Sequence, residues 1–461
     1  MRLQQENTNH ISTKSSSSIS ILLVIALLSD LLTPLLIWKG ILPASTRWIS
    51  DAVIVIIIAL VYTRMMVFNK IPAALLVIVA LSLIGIAVAL FNGQGILATV
   101  WGWWLMFKYP LVGLYFYLQP SWPKRFPQHL RTVCIVILIF EVFVQIGQYL
   151  TGEPIGDNLA GTFGWHGTGP LVSYTLFVLC LVLGQWLVER RWRNLALVMV
   201  LGIVSSVLGE IKFFLPASLA VLCLGFAIFI LQSGQVWKLV PYVIFLGISV
   251  AVFIVGYNTF VPNAEKVPIE SFITDSGTLD SYMNKHYQSK ISGNYIMGRS
   301  LAVQYGWDSI TRDPITFIFG MGIGARGESR SLTTAGIALT GSAQKYSVSS
   351  SLLVLMQEMG LLGLTAIGVF IFWIAISQFR AIGRAPQSPV SELRYALVLF
   401  SLLWPLWVYY ATVWNQEVVM LLYWSSLGYI FGAANWEQDG DLQPHLNSTS
   451  SLHSWKRTYE F

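Results

Sequence analysis

The sequence predicts an all-α, polytopic membrane protein with about twelve transmembrane helices and one large extracytoplasmic loop. Three observations lead there. Of 461 residues, 55% are hydrophobic and only 11% are charged, more apolar surface than an ordinary soluble domain hides behind so few charges. The apolar residues come in runs of roughly 20, enough to cross a hydrocarbon core of about 30 Å. One connection, residues 259–347, is far longer than the others and carries eight of the 28 basic and seven of the 22 acidic residues.

Taken in order, the chain opens with a Ser-rich stretch, "STKSSSSIS", whose composition predicts a disordered cytoplasmic tail over 1–18. Nine apolar runs fill 19–258, at about 19–38, 50–68, 71–91, 95–118, 132–151, 168–188, 194–209, 211–231 and 239–258. The first holds Asp30, is longer than a signal-peptide core and has no small-x-small pattern behind it, so it reads as a span. The fourth carries Lys108 and Pro110, and the seventh is short. Cys134, Cys180 and Cys223 all fall inside runs and read as buried free thiols, with neither metal-ligand spacing nor a disulfide framework. In the loop, "MGRSLAVQYGWDSIT" (297–311) reads as a helix, with Met297, Leu301 and Tyr305 at i,i+4 and "RDP" ending it. A connection of this length functions or folds on its own. Three more runs, at about 359–378, 395–412 and 417–435, fill 348–435, and 436–461 is a second cytoplasmic tail.

Orientation follows from Lys and Arg in the short loops. One side collects Arg2, Lys14, Arg64, Lys70, Lys124, Arg125, Arg131, Arg190, Arg191, Arg193, Lys238, Arg380, Arg384, Arg394, Lys456 and Arg457, sixteen in all. The short loops opposite hold three: Lys39, Arg47 and Lys212. This predicts both termini in the cytoplasm, and it accounts for the net charge of +6 without a nucleic-acid partner.

On that topology Glu210 and Lys212, in the turn of "SSVLGEIKFFLP", face outward between the seventh and eighth spans. They form either a solvated turn or an anion site at the outer interface. Arg299 starts the loop helix, and Arg326 and Arg330 follow the glycine cluster "FGMGIGARGESR" (319–330). Glycines let backbone N–H groups approach a ligand, and Arg binds phosphate oxygens bidentately. The spacing G-x-G-x-G is not a nucleotide fingerprint. Within the spans, Lys108 and Glu141 sit at depths that differ by roughly 4–5 Å at 1.5 Å per residue, which predicts a structural ion pair. Asp30 and Asp51 are less informative. His166 and His286 face outward, and His166 is a candidate proton acceptor. The sequence has no Walker motif, no H-E-x-x-H and no Ser-His-Asp or Cys-His arrangement, which argues against an ATP-driven machine or a metalloprotease.

These features together resemble the bacterial O-antigen ligases and the related O-antigen and exopolysaccharide polymerases (the Wzy type), with a GT-C-like fold. "AGTFGWHGTGPLVSYTL" (160–176) is similar to the family's "GTF-G" segment before a span, and "GEIKFFLPASLAVL" (209–222) to the turn where the family places a basic residue, here Lys212. "GRSLAVQYGWDSITRDPITFIFGMGIG" (298–324) resembles the family's loop helix and supplies Arg299. "SSSLLVLMQEMGLLGL" (349–364) resembles the segment entering a late span, but the ligase His is replaced, most nearly by Ser349, which favours a polymerase. The resemblance implies a membrane glycosyltransferase in the cell (inner) membrane, acting on a glycan linked to undecaprenyl diphosphate. An acceptor hydroxyl would attack the anomeric carbon, with no cofactor and no metal. Lys212, Arg299, Arg326 and Arg330 would offset the charge of the diphosphate, and Glu210 or His166 would take the proton. Implied partners are the lipid-linked oligosaccharide, membrane lipid and chain-length or export proteins. A glycan ligase is the alternative within the class. A secondary transporter, of bicarbonate or another small solute, is the alternative outside it, although no paired broken helices in two halves are apparent.

Overall fold

Each of the twelve apolar runs lies on a helix in the computed structural model, which describes residues 22–68, 73–118, 125–234, 237, 240–260, 271–284, 286–288, 295–329, 334–339, 346–347, 350–384 and 390–438. The first four helices are α1 (Leu22–Trp38), α2 (Trp48–Phe68), α3 (Ala73–Phe91) and α4 (Ile96–Tyr117). They are followed by α5 (Phe126–Leu150), α6 (Thr168–Glu189), α7 (Arg193–Leu208), α8 (Phe214–Ser233) and α9 (Val240–Phe260). Beyond the long connection come α14 (Ser351–Arg384), α15 (Ser391–Leu402), α16 (Trp404–Tyr410) and α17 (Glu417–Gln438).

Among the described residues, seven helices are long and apolar enough to cross a membrane, or eight if the bent pair α15–α16 is one span. The chain is therefore a polytopic helical membrane protein. The remaining runs differ from expectation for identifiable reasons. α1 and α7 are short, the apolar part of α17 is Glu417–Ala433, and α4 interrupts its apolar face with Lys108. The run at 395–412 breaks after Leu402 and bends by 47°, with Pro405 opening the second piece.

α6 is the centre of the bundle: 94% of its apolar window is buried within the protein, against 17% for α3 and α9, whose side chains face outward to lipid. Cys134 and Cys180 are buried as expected, whereas Cys223 is exposed on the surface of α8, which corrects its reading as a buried thiol.

The long connection folds on its own elements. These are α10 (Ser271–Thr274), α11 (Ser276–Asn284), α12 (Arg299–Ile310) and α13 (Pro314–Phe319). Among the described residues, five strands of two or three residues qualify the all-α reading: β1 (His286–Gln288), β2 (Tyr295–Met297), β3 (Glu328–Ser329), β4 (Thr334–Ala335) and β5 (Tyr346–Ser347). β2 lies between antiparallel β1 and parallel β5, and β3 pairs antiparallel with β4. The loop helix is present as α12. "RDP" also begins α13, because Asp313 caps it, accepting from the Thr316 N–H at 2.8 Å, and Pro314 takes the first helical position.

Glycines dock this connection onto the bundle. Gly322 and Gly324, both at positive φ, press against the backbones of Ala89 and Ala98, where a Cβ would collide with main chain. α14 is kinked at Gly360 (φ 57°, ψ −150°). Two carbonyls there accept from the loop: Gln357 from the Met321 N–H at 2.6 Å and Glu358 from the Gly322 N–H at 3.1 Å.

Candidate functional site

The turn that carries Glu210 and Lys212 sits where α7 meets α8. Glu210 adopts φ 53°, uncommon for a residue with a side chain. Between the two charges, Ile211 turns inward and is buried, leaving Glu210 and Lys212 on the partly exposed side. Lys212 Nζ lies 3.4 Å from Glu210 Oε1, and the same carboxylate oxygen accepts from the Tyr257 hydroxyl of α9 at 3.2 Å.

The next residue, Phe213, stacks on Tyr410 at the end of α16, with centroids 3.7 Å apart and planes within 9°. The Arg299 guanidinium lies 3.8 Å from the same ring centroid, and its Nε donates to the Tyr410 carbonyl at 3.0 Å. Two groups this close to one ring centroid occupy opposite faces, so Tyr410 is sandwiched between Phe213 and Arg299. Its backbone is held from α14 and α12. Ser350 Oγ donates to the Val408 carbonyl at 3.1 Å, the Ser351 N–H donates to the Ala411 carbonyl at 2.9 Å, and the Ser300 and Tyr409 hydroxyls are 2.8 Å apart. The structure thus places Arg299 on a ring that also stacks on Phe213, the residue after Lys212, while the Glu210 and Lys212 side chains meet each other and Tyr257. Sequence reasoning missed Tyr410 and Phe213. The available signal was the aromatic pair "YY" closing an apolar run, where interfacial aromatics gather.

Glu141 does not pair with Lys108, which corrects the predicted ion pair. The segment 159–163 folds back into the bundle and supplies donors to a polar stripe of α5. Glu141 accepts from the Thr162 N–H at 2.7 Å and from the Thr162 hydroxyl. Gln145 donates to the Leu159 carbonyl at 2.6 Å, and Gln148 exchanges bonds of 2.8 and 3.1 Å with Gly161. Glu141 and Gln148 are separated by roughly 10 Å along the helix. Irregular backbone at such a depth persists only with its polar groups satisfied in this way. A Cβ on Gly161 (φ 63°) would run into the Glu141 carboxylate.

Lys108 has other partners: Asp51 of α2 at 2.9 Å and Glu417 of α17 at 3.2 Å. Counting residues from a span end leaves the direction around the helix axis open. Asp51 and Glu417 line a cavity of about 460 Å³ among α1, α2, α4 and α17, with Asp30 and Arg47.

Arg326 is buried (5% exposed) under the glycine segment, its N–H donating to Glu358 at 3.1 Å. Burial holds its guanidinium below the ordinary value, with Tyr305 and Glu358 opposing. The glycines lie against helix backbone, which corrects their reading as a ligand cradle. His166 is exposed, at φ 56°, and stacks on Trp165 at 4.6 Å. Its loop reaches the turn through Gly156, whose N–H donates to the Leu208 carbonyl at 3.1 Å. Arg330 and Ser349 lie outside the described residues. No protein-family model matches the chain, and no curated protein matches it either.

Proposed function

We propose that the chain is a polysaccharide polymerase of the cell membrane, transferring a glycan from undecaprenyl diphosphate to an acceptor sugar at the outer face. The observation that carries this reading is that the turn holding the Lys212–Glu210 pair continues into Phe213, which stacks on the Tyr410 ring that Arg299 of the long connection also covers. A Lys–Glu pair in the turn, with an Arg on the stack that the turn leads into, suits a lipid-linked diphosphate at the end of a lipid-facing bundle. In the transfer the acceptor oxygen bonds to the anomeric carbon as the bond from that carbon to the diphosphate oxygen breaks. The diphosphate leaves with the electron pair, opposed by Lys212 and Arg299. The hydroxyl proton passes to Glu210 or to His166. Arg326 is buried, so Arg299 serves as the loop cation at the diphosphate.

On this reading the shorter and broken helices complete twelve crossings in a GT-C-like arrangement, with both termini in the cytoplasm. Supporting that orientation, Arg131 pairs with Glu392 and Arg190 lies over Phe229 at the bundle end opposite the stack. The test is polymer length from purified protein and lipid-linked oligosaccharide. Lys212→Ala should lose 10²–10³ in rate, as for a lost donor to developing charge, ~3–4 kcal/mol. Lys212→Arg should retain part. Wild-type polymer from Lys212→Ala at equal protein level removes the proposal. A ligase would add one glycan to a different acceptor without lengthening it. A secondary transporter is the second reading, favoured by the charged cavity lined by Asp51 and Glu417, the partners of Lys108, and solute uptake without polymer would establish it.

A further inference from the structure

α9 faces lipid along most of its length, and the side chains it buries are Ser249, Phe253 and Tyr257, spaced four residues apart on one line. Ser249 returns its hydroxyl to the Phe245 carbonyl of its own helix at 2.9 Å, and Phe253 packs on the Tyr257 ring with centroids 6.1 Å apart. Tyr257 is different. It is 2% exposed, and its hydroxyl leaves the helix to donate to Glu210 Oε1 at 3.2 Å, on the turn between α7 and α8. Its ring stands beside the same pair, 6.0 Å from Lys212 Nζ. Packing alone is served by a phenylalanine, as at Phe253, whereas a buried hydroxyl needs an acceptor.

The two oxygens of Glu210 are thereby made unequal. Lys212 and Tyr257 both engage Oε1. Oε2 accepts no hydrogen bond from a described residue, and it lies on the side of Gly156, where a Cβ would stand 3.8 Å away. The Glu210 side chain is 34% exposed, so it is open to a substrate as well as held. A general base is recognised by its reach to the proton it takes and by a further group that orients it. His166 is exposed and stacked on Trp165, and its imidazole has no hydrogen-bond partner among the described residues. Of the two candidate proton acceptors, only Glu210 has an orienting group.

We propose that Tyr257 is a positioning residue for the glycosyl transfer: through Oε1 it holds Glu210 so that Oε2 takes the proton of the acceptor hydroxyl, which makes Glu210 and not His166 the proton acceptor. This rests on the polymerase reading. The acceptor O–H bond breaks as its oxygen bonds to the anomeric carbon, the diphosphate leaves with the electron pair of its own bond to that carbon, and Glu210 then passes the proton to water. The experiment measures initial rates of polymer formation by the full chain in lipid nanodiscs. The substrate is the lipid-linked oligosaccharide extracted from cells deleted for this chain. Tyr257→Phe keeps the ring beside Lys212 and removes only the hydroxyl. It should lower kcat about tenfold and leave the KM for the lipid-linked donor within about twofold of wild type. Glu210→Ala should lower kcat by about 10²–10⁴, and in that background Tyr257→Phe should add less than about twofold. His166→Ala should stay within about threefold of wild type, since a surface residue outside the reaction is close to neutral. Should Glu210→Ala fall below detection, the split between kcat and KM in Tyr257→Phe decides, because loosened packing of α9 would disturb Lys212 and raise KM. The proposal is overturned by a wild-type kcat in Tyr257→Phe, by a rise in KM that accounts for its loss, or by a loss that multiplies in full onto Glu210→Ala. A loss in His166→Ala as large as in Glu210→Ala overturns it too. The two readings fail separately. Polymer that depends on Lys212 but not on Tyr257 removes the positioning role alone. Polymer indifferent to Lys212 removes the polymerase and the positioning role with it.

Discussion

Removing the Glu141 carboxylate tests whether the segment 159–163 is held inside the bundle by α5. Glu141 and Thr162 are both fully buried, and the carboxylate accepts from the Thr162 N–H and hydroxyl. Glu141→Ala strands the backbone N–H, which cannot turn elsewhere, and leaves the hydroxyl to find another acceptor. A buried donor left unsatisfied costs about 1–3 kcal/mol, so the substitution should destabilise by roughly 2–4 kcal/mol. Thr162→Val removes one hydrogen bond, about 0.5–1.5 kcal/mol, and keeps the other. In the double variant the hydroxyl interaction is already gone, so the two costs should fall short of their sum by about 1 kcal/mol or more. The assay is SDS-induced unfolding in mixed micelles followed by tryptophan fluorescence. Costs that add to within about 0.3–0.5 kcal/mol refute the pairing. A Glu141→Ala cost below about 0.5 kcal/mol would mean that the segment is held by something else.

Lys108→Met should destabilise by about 3–5 kcal/mol, because it leaves Asp51 and Glu417 facing each other without their cation; Asp51→Asn should cost less, since Glu417 remains. The same unfolding titration checks both, and equal costs would argue against a shared network. Gly324→Ala places a Cβ against the Ala98 carbonyl at φ 83° and should cost about 2–4 kcal/mol, read as faster proteolysis of residues 271–329 with α5–α8 still protected. The Thr316 backbone N–H, and then its hydroxyl, hold the Asp313 carboxyl below the ordinary range. A depressed carboxyl contributes stability above its unfolded value, about 3.9, and loses it as pH falls through the folded value. Protection of the Thr316 amide from exchange, referenced to an unstructured peptide, should therefore hold from pH 8 to 5 and fall only below about 4.

Composition and run length made the helices legible, because a span must be apolar over its whole length whatever it packs against. The loop helix was legible for the complementary reason, its i,i+4 pattern being local. Azimuth was not. Residue counting predicts similar depths for Lys108 and Glu141, yet they face different neighbours, and Glu417 lies 309 residues from Lys108 in the chain. The glycine cluster announced close approach correctly, but sequence alone does not say whether the approaching partner is a ligand or a helix backbone. At the candidate site, the charges Glu210, Lys212 and Arg299 stood out because charge is rare here. Tyr410 did not, since aromatics are common throughout the chain.

The kink at Gly360 has a consequence for biogenesis. The carbonyls of Gln357 and Glu358 receive the N–H groups of Met321 and Gly322, and Ser350 and Ser351 fasten the end of α16 against which Arg299 rests. All of these acceptors and anchors are synthesised after the connection that needs them. The segment 271–329 is therefore made with only part of its docking surface, around Ala89 and Ala98, already in place. It waits for α14 to α16 to be inserted, and a chain truncated before residue 350 would expose the glycine segment to quality-control proteases instead of closing the molecule.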